Sequence, residues 1–371
     1  MRVTRDDGPP APRPVPSRPD DLGRGWLSAA LARTPGVTGR VAAVRVRPLG
    51  QGLGLLSRIV HVQLTWADGT GPPTVVVKLA TPAGPTRDVA GALDIYGNEV
   101  RFYRHLGAAT DLAVRCHHAS HDPRTGDFAL VLADLTGAPV VDQVTGCPPA
   151  RAAEAVTALA DHHARFWDER GLVGVRCLRA VDDPAFITPL ARACEASWPA
   201  VRARCAAVLP AEVVDLGDGF AGRLPGLAAR LARSPRTLTH GDFRVDNMFF
   251  GPGSEVAGRV AMCDWQLADR ARGGRDLGYF LTQSLDPGVR RDLQDDLVDL
   301  YVERLAANGV TGYGRDEAWE DYRVAALFSL LYPVVAGGGL ELSGSRAALL
   351  TEVILIRAAR AIVDLDCTTL E

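Results

Sequence analysis

Lys78 is the only lysine among 371 residues; the other 40 of the 41 Lys plus Arg are arginine. Lysine carries a compact ammonium on a flexible stem, which reaches a crowded anion such as a di- or triphosphate as a point charge, whereas arginine is a broad planar fork. The lone lysine is therefore either kept for an anion or a remnant of compositional bias, and its surroundings have to decide. It ends the run Thr74, Val75, Val76, Val77, bounded upstream by Gly71, Pro72 and Pro73, which reads as a buried strand. Downstream, residues 94–106 space Ile95, Phe102, Tyr103 and Leu106 as the apolar stripe of a helix, and Glu99 falls on that stripe. A carboxylate facing a core is costly unless paired, so Glu99 either has a cationic partner from another element or sits at the stripe's edge in water.

Two motifs in the second half narrow the choice. Residues 240–247 read HGDFRVDN, and residues 263–267 read CDWQL after the apolar Val260, Ala261 and Met262. Asp242 and Asn247 keep the five-residue offset of the base and metal ligand of the kinase catalytic loop. Asp264 stands at the end of a short strand, where kinases place the aspartate that holds magnesium. Strand lysine, helix glutamate, aspartate, asparagine and second aspartate, in that order, resemble the aminoglycoside phosphotransferase and choline kinase superfamily, the small-molecule branch of the kinase fold. LVLADL at 130–135, ALADHHARFW at 158–167 and DWQ at 264–266 are most similar to its ecdysteroid-kinase-like group. The likeness runs over residues 45–365 and is most specific in the two C-terminal motifs.

The resemblance implies an α+β, bilobal protein-kinase-like fold: a small β-rich N-lobe, a larger mostly helical C-lobe, and the nucleotide cleft between them. It implies ATP and Mg2+, with Lys78 on the α- and β-phosphates, Glu99 orienting it, and Asn247 and Asp264 holding the metal. Asp242 would accept a hydrogen bond from the acceptor hydroxyl and take its proton late in transfer. Residues 130–135 would form the hinge, with backbone groups at Ala133 binding an adenine edge. Gly50, Gly52 and Gly54 in LGQGLGLLS would let backbone amides approach phosphate oxygens, and Ser57 would add a hydroxyl; a plain β-hairpin turn is the alternative there. His240 is expected to brace the catalytic loop, Asp276 in GGRDLGYF to bond its backbone, and His162 and His163 to be packed helix residues.

Length and composition set the frame for these elements. About 350 residues beyond the N-terminus suit two lobes, residues 22–132 and 133–371, after a Pro-, Arg- and Asp-rich segment 1–21 expected as a disordered tail. A net charge of -3 and a sequence pI near 6.3, with no basic stripe, argue against nucleic acid or an acidic membrane as the main partner. Seven cysteines without a CxxC pair suit reduced thiols, and no apolar leader or spanning run is present, so a cytoplasmic monomer or homodimer is expected.

Asp264 and Asp276 are only twelve residues apart, too close for a peptide-docking activation segment, which favours a small-molecule alcohol over a protein as acceptor. Asp292, Asp295, Asp296, Asp299 and Glu303 line one face of a helix over 288–305, either for a polycationic acceptor or as a solvated face. Tyr332, Pro333 and Gly337 to Gly339 are expected to interrupt a helix and, with Trp265, Trp319 and Tyr322, to shape an apolar acceptor pocket. The same residues also admit a protein kinase or a non-catalytic nucleotide-binding module.

Overall fold

The computed structural model of the protein describes residues 14–49, 56–251, 260–339 and 345–370. The N-terminal part holds α1 (Arg24–Leu31), β1 (Arg40–Pro48), β2 (Ser57–Asp68), β3 (Thr74–Ala80), α2 (Pro85–Ala92), α3 (Ile95–His105), β4 (Cys116–Asp122) and β5 (Asp127–Ala133). The five strands form one antiparallel sheet in the order β1-β2-β3-β5-β4. Successive side chains of a strand face opposite ways, and β3 uses both faces. Val75, Val77 and Leu79 join Leu27 and Leu31 of α1 in one small core. Lys78 lies on the other face with Ala80, and α3 covers that face with Ile95, Tyr96 and Phe102 of the main core. The parity of a buried strand thus delivers the one lysine to the α3 side.

The C-terminal part is mostly helical: α4 (Pro149–Arg165), α5 (Asp168–Gly171), α6 (Pro184–Cys205) and α7 (Ala211–Leu231) precede the strands β6 (Thr237–Thr239), β7 (Met248–Phe250), β8 (Val260–Met262) and β9 (Asp269–Ala271). Helices α8 (Gly274–Ser284), α9 (Pro287–Ala307), α10 (Arg315–Phe328), α11 (Leu331–Gly339) and α12 (Ser345–Asp364) follow. The short strands pair as β6 with β9 and β7 with β8, two ribbons that carry the residues of HGDFRVDN and CDWQL. The α+β class expected from the sequence is the one observed. None of the helices among the described residues is long and apolar enough to cross a membrane, and all seven cysteines are unpaired.

One expectation is corrected here and one is sharpened. Of the segment 1–21 expected as a tail, residues 14–21 are described and are docked. The Asp21 carboxylate accepts from Ser17 N and Arg18 N at 3.0 Å, Pro19–Asp21 form a 3-10 turn, and the Arg58 guanidinium donates to Ser17 O. Residues 1–13 lie outside the described residues. Tyr332, Pro333 and the Gly337 to Gly339 run are themselves helical, as α11, and the expected interruption of the helical region falls beside them: the turn at Ser329 and Leu330 separates α10 from α11, which runs to Gly339. Pro333 sits in its first turn, where the missing amide hydrogen has no helical partner to lose. The glycines let α11 press against α6, since a Cβ on Gly338 would meet Ser197 O at 2.4 Å.

Candidate active site

Lys78 Nζ donates to both oxygens of Glu99, at 3.0 and 2.8 Å, and to Asp264 Oδ1 at 2.8 Å. Lys78 is 3% exposed and Glu99 is fully buried. All three donors of the ammonium are therefore committed to carboxylates from α3 and from the loop after β8. Burial alone would depress the lysine, but the Asp264 and Glu99 carboxylates outweigh it and hold the ammonium above its ordinary range. Burial pushes the Glu99 carboxyl up and the ammonium opposes it, while Asp264, despite its burial, is held below its usual value by Lys78. The pairing anticipated for a core-facing Glu99 is the one found.

Asp264 adopts left-handed backbone, φ 64° and ψ 53°, at the start of the 3-10 turn Trp265–Leu267. Such a conformation is unfavourable for a residue with a Cβ and persists where the surroundings impose it, often at functional sites. Two contacts from α3 do so. Asn98 Nδ2 donates to Gln266 O at 3.1 Å and Ala268 O at 2.8 Å, and Phe102 stacks on Trp265 with centroids 4.0 Å apart and planes 5° apart. The helix that carries Glu99 also clamps the loop that carries Asp264. Asn98 escaped the sequence reading because a buried asparagine has no pattern of its own; its adjacency to Glu99 was the only signal.

The segment HGDFRVDN begins at the end of β6. Asp276, fully buried on α8, accepts His240 N at 2.6 Å and Gly241 N at 2.8 Å, the bracing expected of it. His240 spans both motifs: its Nε2 lies 2.9 Å from Cys263 O and its Nδ1 accepts Asp242 N at 3.2 Å, which fixes a neutral ring with the proton on Nε2. Burial, the largest influence, keeps the ring below its usual pKa, in keeping with a brace. Gly241 has φ +82°, and a Cβ there would meet Leu267 O at 2.2 Å. Gly241→Ala is expected to cost about 1–3 kcal/mol from backbone strain alone, seen as a lowered midpoint in chemical denaturation.

Asp242 is 7% exposed and its carboxylate is bonded on both oxygens. Oδ1 accepts the Tyr279 hydroxyl at 2.8 Å and Arg244 Nε at 3.1 Å, and Oδ2 accepts Asn247 Nδ2 at 3.0 Å. Arg244 is fixed in turn by Gln143 Oε1 at 3.0 Å and faces Asp246 at 3.6 Å. Tyr279, Arg244 and Gln143 were not singled out from sequence, although Arg244 lies inside HGDFRVDN and Tyr279 inside GGRDLGYF.

Asn247 and Cys263, the residue before Asp264, come together through strand register. β7 pairs with β8 as Met248 with Met262, and Cys263 N donates to Asn247 O at 3.1 Å, so the residue after β8 lies beside the one before β7. Asn247 spends its amide nitrogen on Asp242, and Asp264 spends Oδ1 on Lys78. Among the described residues, Asn247 Oδ1 and Asp264 Oδ2 have no hydrogen-bond partner. Two free oxygens, one anionic, fit Mg2+, which takes one or two protein oxygens and fills its octahedron with water and phosphate. A cluster of three or more His, Cys, Asp or Glu suited to a metal is absent among the described residues.

Other expected residues fall as follows. Gly50, Gly52 and Gly54 lie outside the described residues. Ser57 opens β2, buried and opposite Ala80, and Tyr96 OH donates to Leu56 O just before it at 2.6 Å. Ala133 N donates to Arg115 O at 2.9 Å, so among the backbone groups of Ala133 and its neighbours expected to meet an adenine edge this amide is already engaged. Trp265 and Tyr322 are fully buried, so neither lines an acceptor pocket, and Trp319 lies under the Arg315 guanidinium. Asp295 and Asp299 are paired with Arg315 on an exposed face, the solvated alternative for that helix.

His162 and His163 are packed residues, as anticipated. His162 lies 2.8 Å from Thr110 Oγ1 and 2.9 Å from Leu238 O, and His163 bridges Tyr301 OH and Asp276. Burial pushes His162 down to about 3, against about 6.5 in an unfolded chain. The folded value being the lower one, its contribution to stability is complete above pH 6.5 and is lost as pH falls toward 3. Denaturation midpoints measured across that window should fall in the wild type and fall less in His162→Gln.

The fold is similar to that of solved choline kinases. The sequence model of the ecdysteroid kinase-like family matches residues 185–309, the stretch that holds both C-terminal motifs and Asp276. Among solved structures, choline kinase from Cryptosporidium parvum Iowa II aligns with TM-score 0.54 at 11% identity, over 92% of this chain and 96% of that one. Choline kinase LicA from Streptococcus pneumoniae aligns with TM-score 0.53 at 14% identity, over 92% and 98%. A choline/ethanolamine kinase family protein from Mesorhizobium loti gives 0.51 at 15% identity, over 94% and 99%. No curated protein matches the sequence.

Proposed function

We propose that the protein is an ATP- and magnesium-dependent O-phosphotransferase that moves the γ-phosphoryl group to a hydroxyl of a small molecule. The observation that carries this reading is Lys78 bonded at once to Glu99 and Asp264, with Cys263, next to Asp264, bonded to Asn247 and Asn247 bonded to Asp242. The nucleotide would lie between an N-lobe over 22–132 and a C-lobe over 133–371. Gly50, Gly52, Gly54 and Ser57 would cover the phosphates, and the Ala133 carbonyl and its neighbours would meet the base.

Each side chain has a task that its contacts support. Glu99 holds Lys78 from behind, and a phosphate oxygen of ATP would replace Asp264 Oδ1 on the ammonium, freeing that carboxylate. Magnesium, held by Asn247 and Asp264, would neutralise charge on the phosphates. Asp242 orients the acceptor hydroxyl and takes its proton as transfer completes. A carboxylate suffices as base because a loose transition state needs little prior alkoxide and positioning supplies most of the rate. Twelve residues from Asp264 to Asp276, filled by the 3-10 turn and β9, favour a small acceptor over a peptide.

Aminoglycosides, sugars, nucleosides and other natural-product alcohols remain the acceptor classes, and seven unpaired cysteines support a reducing, cytoplasmic setting. The test is ADP release from Mg–ATP across a panel of these alcohols. Release stimulated by at least one alcohol, with the phosphate recovered on its hydroxyl, supports the reading; no release with any, nor with water, ends it.

A further inference from the structure

Asp242 is 7% exposed, with most of its lone pairs already taken. An ionised carboxylate offers about four acceptor sites. Tyr279 and Arg244 occupy the two on Oδ1, and Asn247 occupies one on Oδ2. One site remains, and it is on Oδ2. We propose that Tyr279 is a positioning residue: with Arg244 it fills Oδ1 and turns the carboxylate so that Oδ2 receives the acceptor hydroxyl.

The support for Tyr279 is built into α8. It lies three residues after Asp276, so one face of one helix holds both the backbone of His240 and Gly241 and the side chain of Asp242. Its ring meets Tyr332 edge-on, centroids 4.8 Å apart at 89°. Tyr332 OH donates to Gly241 O at 3.2 Å and accepts Arg275 NH2 at 3.0 Å. The phenol is 4% exposed, and its burial, with the Asp242 charge beside it, holds its pKa well above the ordinary value. It therefore stays protonated and donates throughout the usual pH range.

The inference rests on the phosphotransferase reading. In the transfer step the acceptor oxygen bonds to the γ-phosphorus as the bond from phosphorus to the β–γ bridging oxygen breaks. ADP leaves with that electron pair, and the hydroxyl proton passes to Asp242 Oδ2 and then to solvent. A carboxylate that swings loses the line between Oδ2 and the acceptor, which lowers kcat and leaves nucleotide affinity alone.

Tyr279→Phe keeps the ring against Tyr332 and removes only the donor; thermal unfolding verifies that the variant folds. ADP release from Mg–ATP is measured with water and with the same panel of aminoglycosides, sugars, nucleosides and other alcohols, so no single acceptor has to be known. A hydrogen bond to a charged group is worth about 1.5–3 kcal/mol, so kcat should fall roughly 10- to 100-fold with KM for ATP unchanged. In an Asp242→Asn background the same change should cause no further loss, because residues acting as a unit are not additive. A Tyr279→Phe kcat within twofold of wild type, or an equal loss in both backgrounds, would overturn this role alone. A folded wild type that releases no ADP with any probe would overturn it together with the phosphotransferase reading.

Discussion

Asp242→Ala should lower turnover by roughly two to four orders of magnitude, the range lost when a positioned acid–base group is removed. No neighbour can stand in for it. Asp246, the nearest carboxylate in the motif, is held by Gln143 N at 2.9 Å and by Arg346 at 3.0 Å. Tyr279 would lose its acceptor and Asn247 one of its two, keeping the Asp242 backbone O, so the loop is expected to loosen without unfolding, since Asp276 still holds its backbone. ATP affinity, read by calorimetry with magnesium present, should survive, because Lys78, Glu99 and Asp264 bind one another independently of Asp242. Unchanged turnover on a phosphorylated acceptor would remove Asp242 from the chemistry.

Lys78→Arg conserves charge and should still lower kcat/KM for ATP by about 100-fold, the order of loss from a displacement near 1 Å at a reacting centre. One tetrahedral nitrogen makes all three bonds, to Glu99 Oε1, Glu99 Oε2 and Asp264 Oδ1, within 3.0 Å. A guanidinium spreads its donors over a plane and is bulkier, in a site only 3% exposed. It would push α3 and the Asp264 loop apart, and with them the Phe102–Trp265 stack and the Asn98 bonds. Steady-state kinetics with varied ATP would settle the matter: near-normal kcat/KM would mean the lone lysine carries nothing that arginine cannot.

The strands and helices with clear periodicity were legible. The β-branched run before Lys78 is β3, and the stripe of Ile95, Phe102 and Tyr103 is α3, because burial on one face writes itself into spacing. β4, with sequence CHHASHD and every residue half-buried, carries no alternation to read. The interruption expected at Pro333 and the glycine run falls beside them, at the Ser329 and Leu330 turn before α11, while the residues themselves are helical. Their tolerance depends on a first-turn position and on the approach of α6, neither of which is local. The aromatic residues offered as pocket walls were placed wrongly for a similar reason: Trp265 and Tyr322 are core, and aromatic type alone does not say which side of a helix is wet.

By itself the sequence determined which groups are available and in what order: one lysine on a strand, a glutamate on a helix stripe, and HGDFRVDN ahead of CDWQL. These follow from local spacing, which the backbone periods of strand and helix translate into faces. The tertiary structure alone decided how those groups are satisfied. It gave all three Lys78 donors to two carboxylates, joined Asn98 and Phe102 to the Asp264 loop, and brought Tyr279 and Arg244 onto one oxygen of Asp242. Lys78 and Asp264 are 186 residues apart along the chain and 2.8 Å apart in space. Buried polar groups must find partners wherever the fold supplies them, and those partners come from distant segments whose meeting no local pattern records.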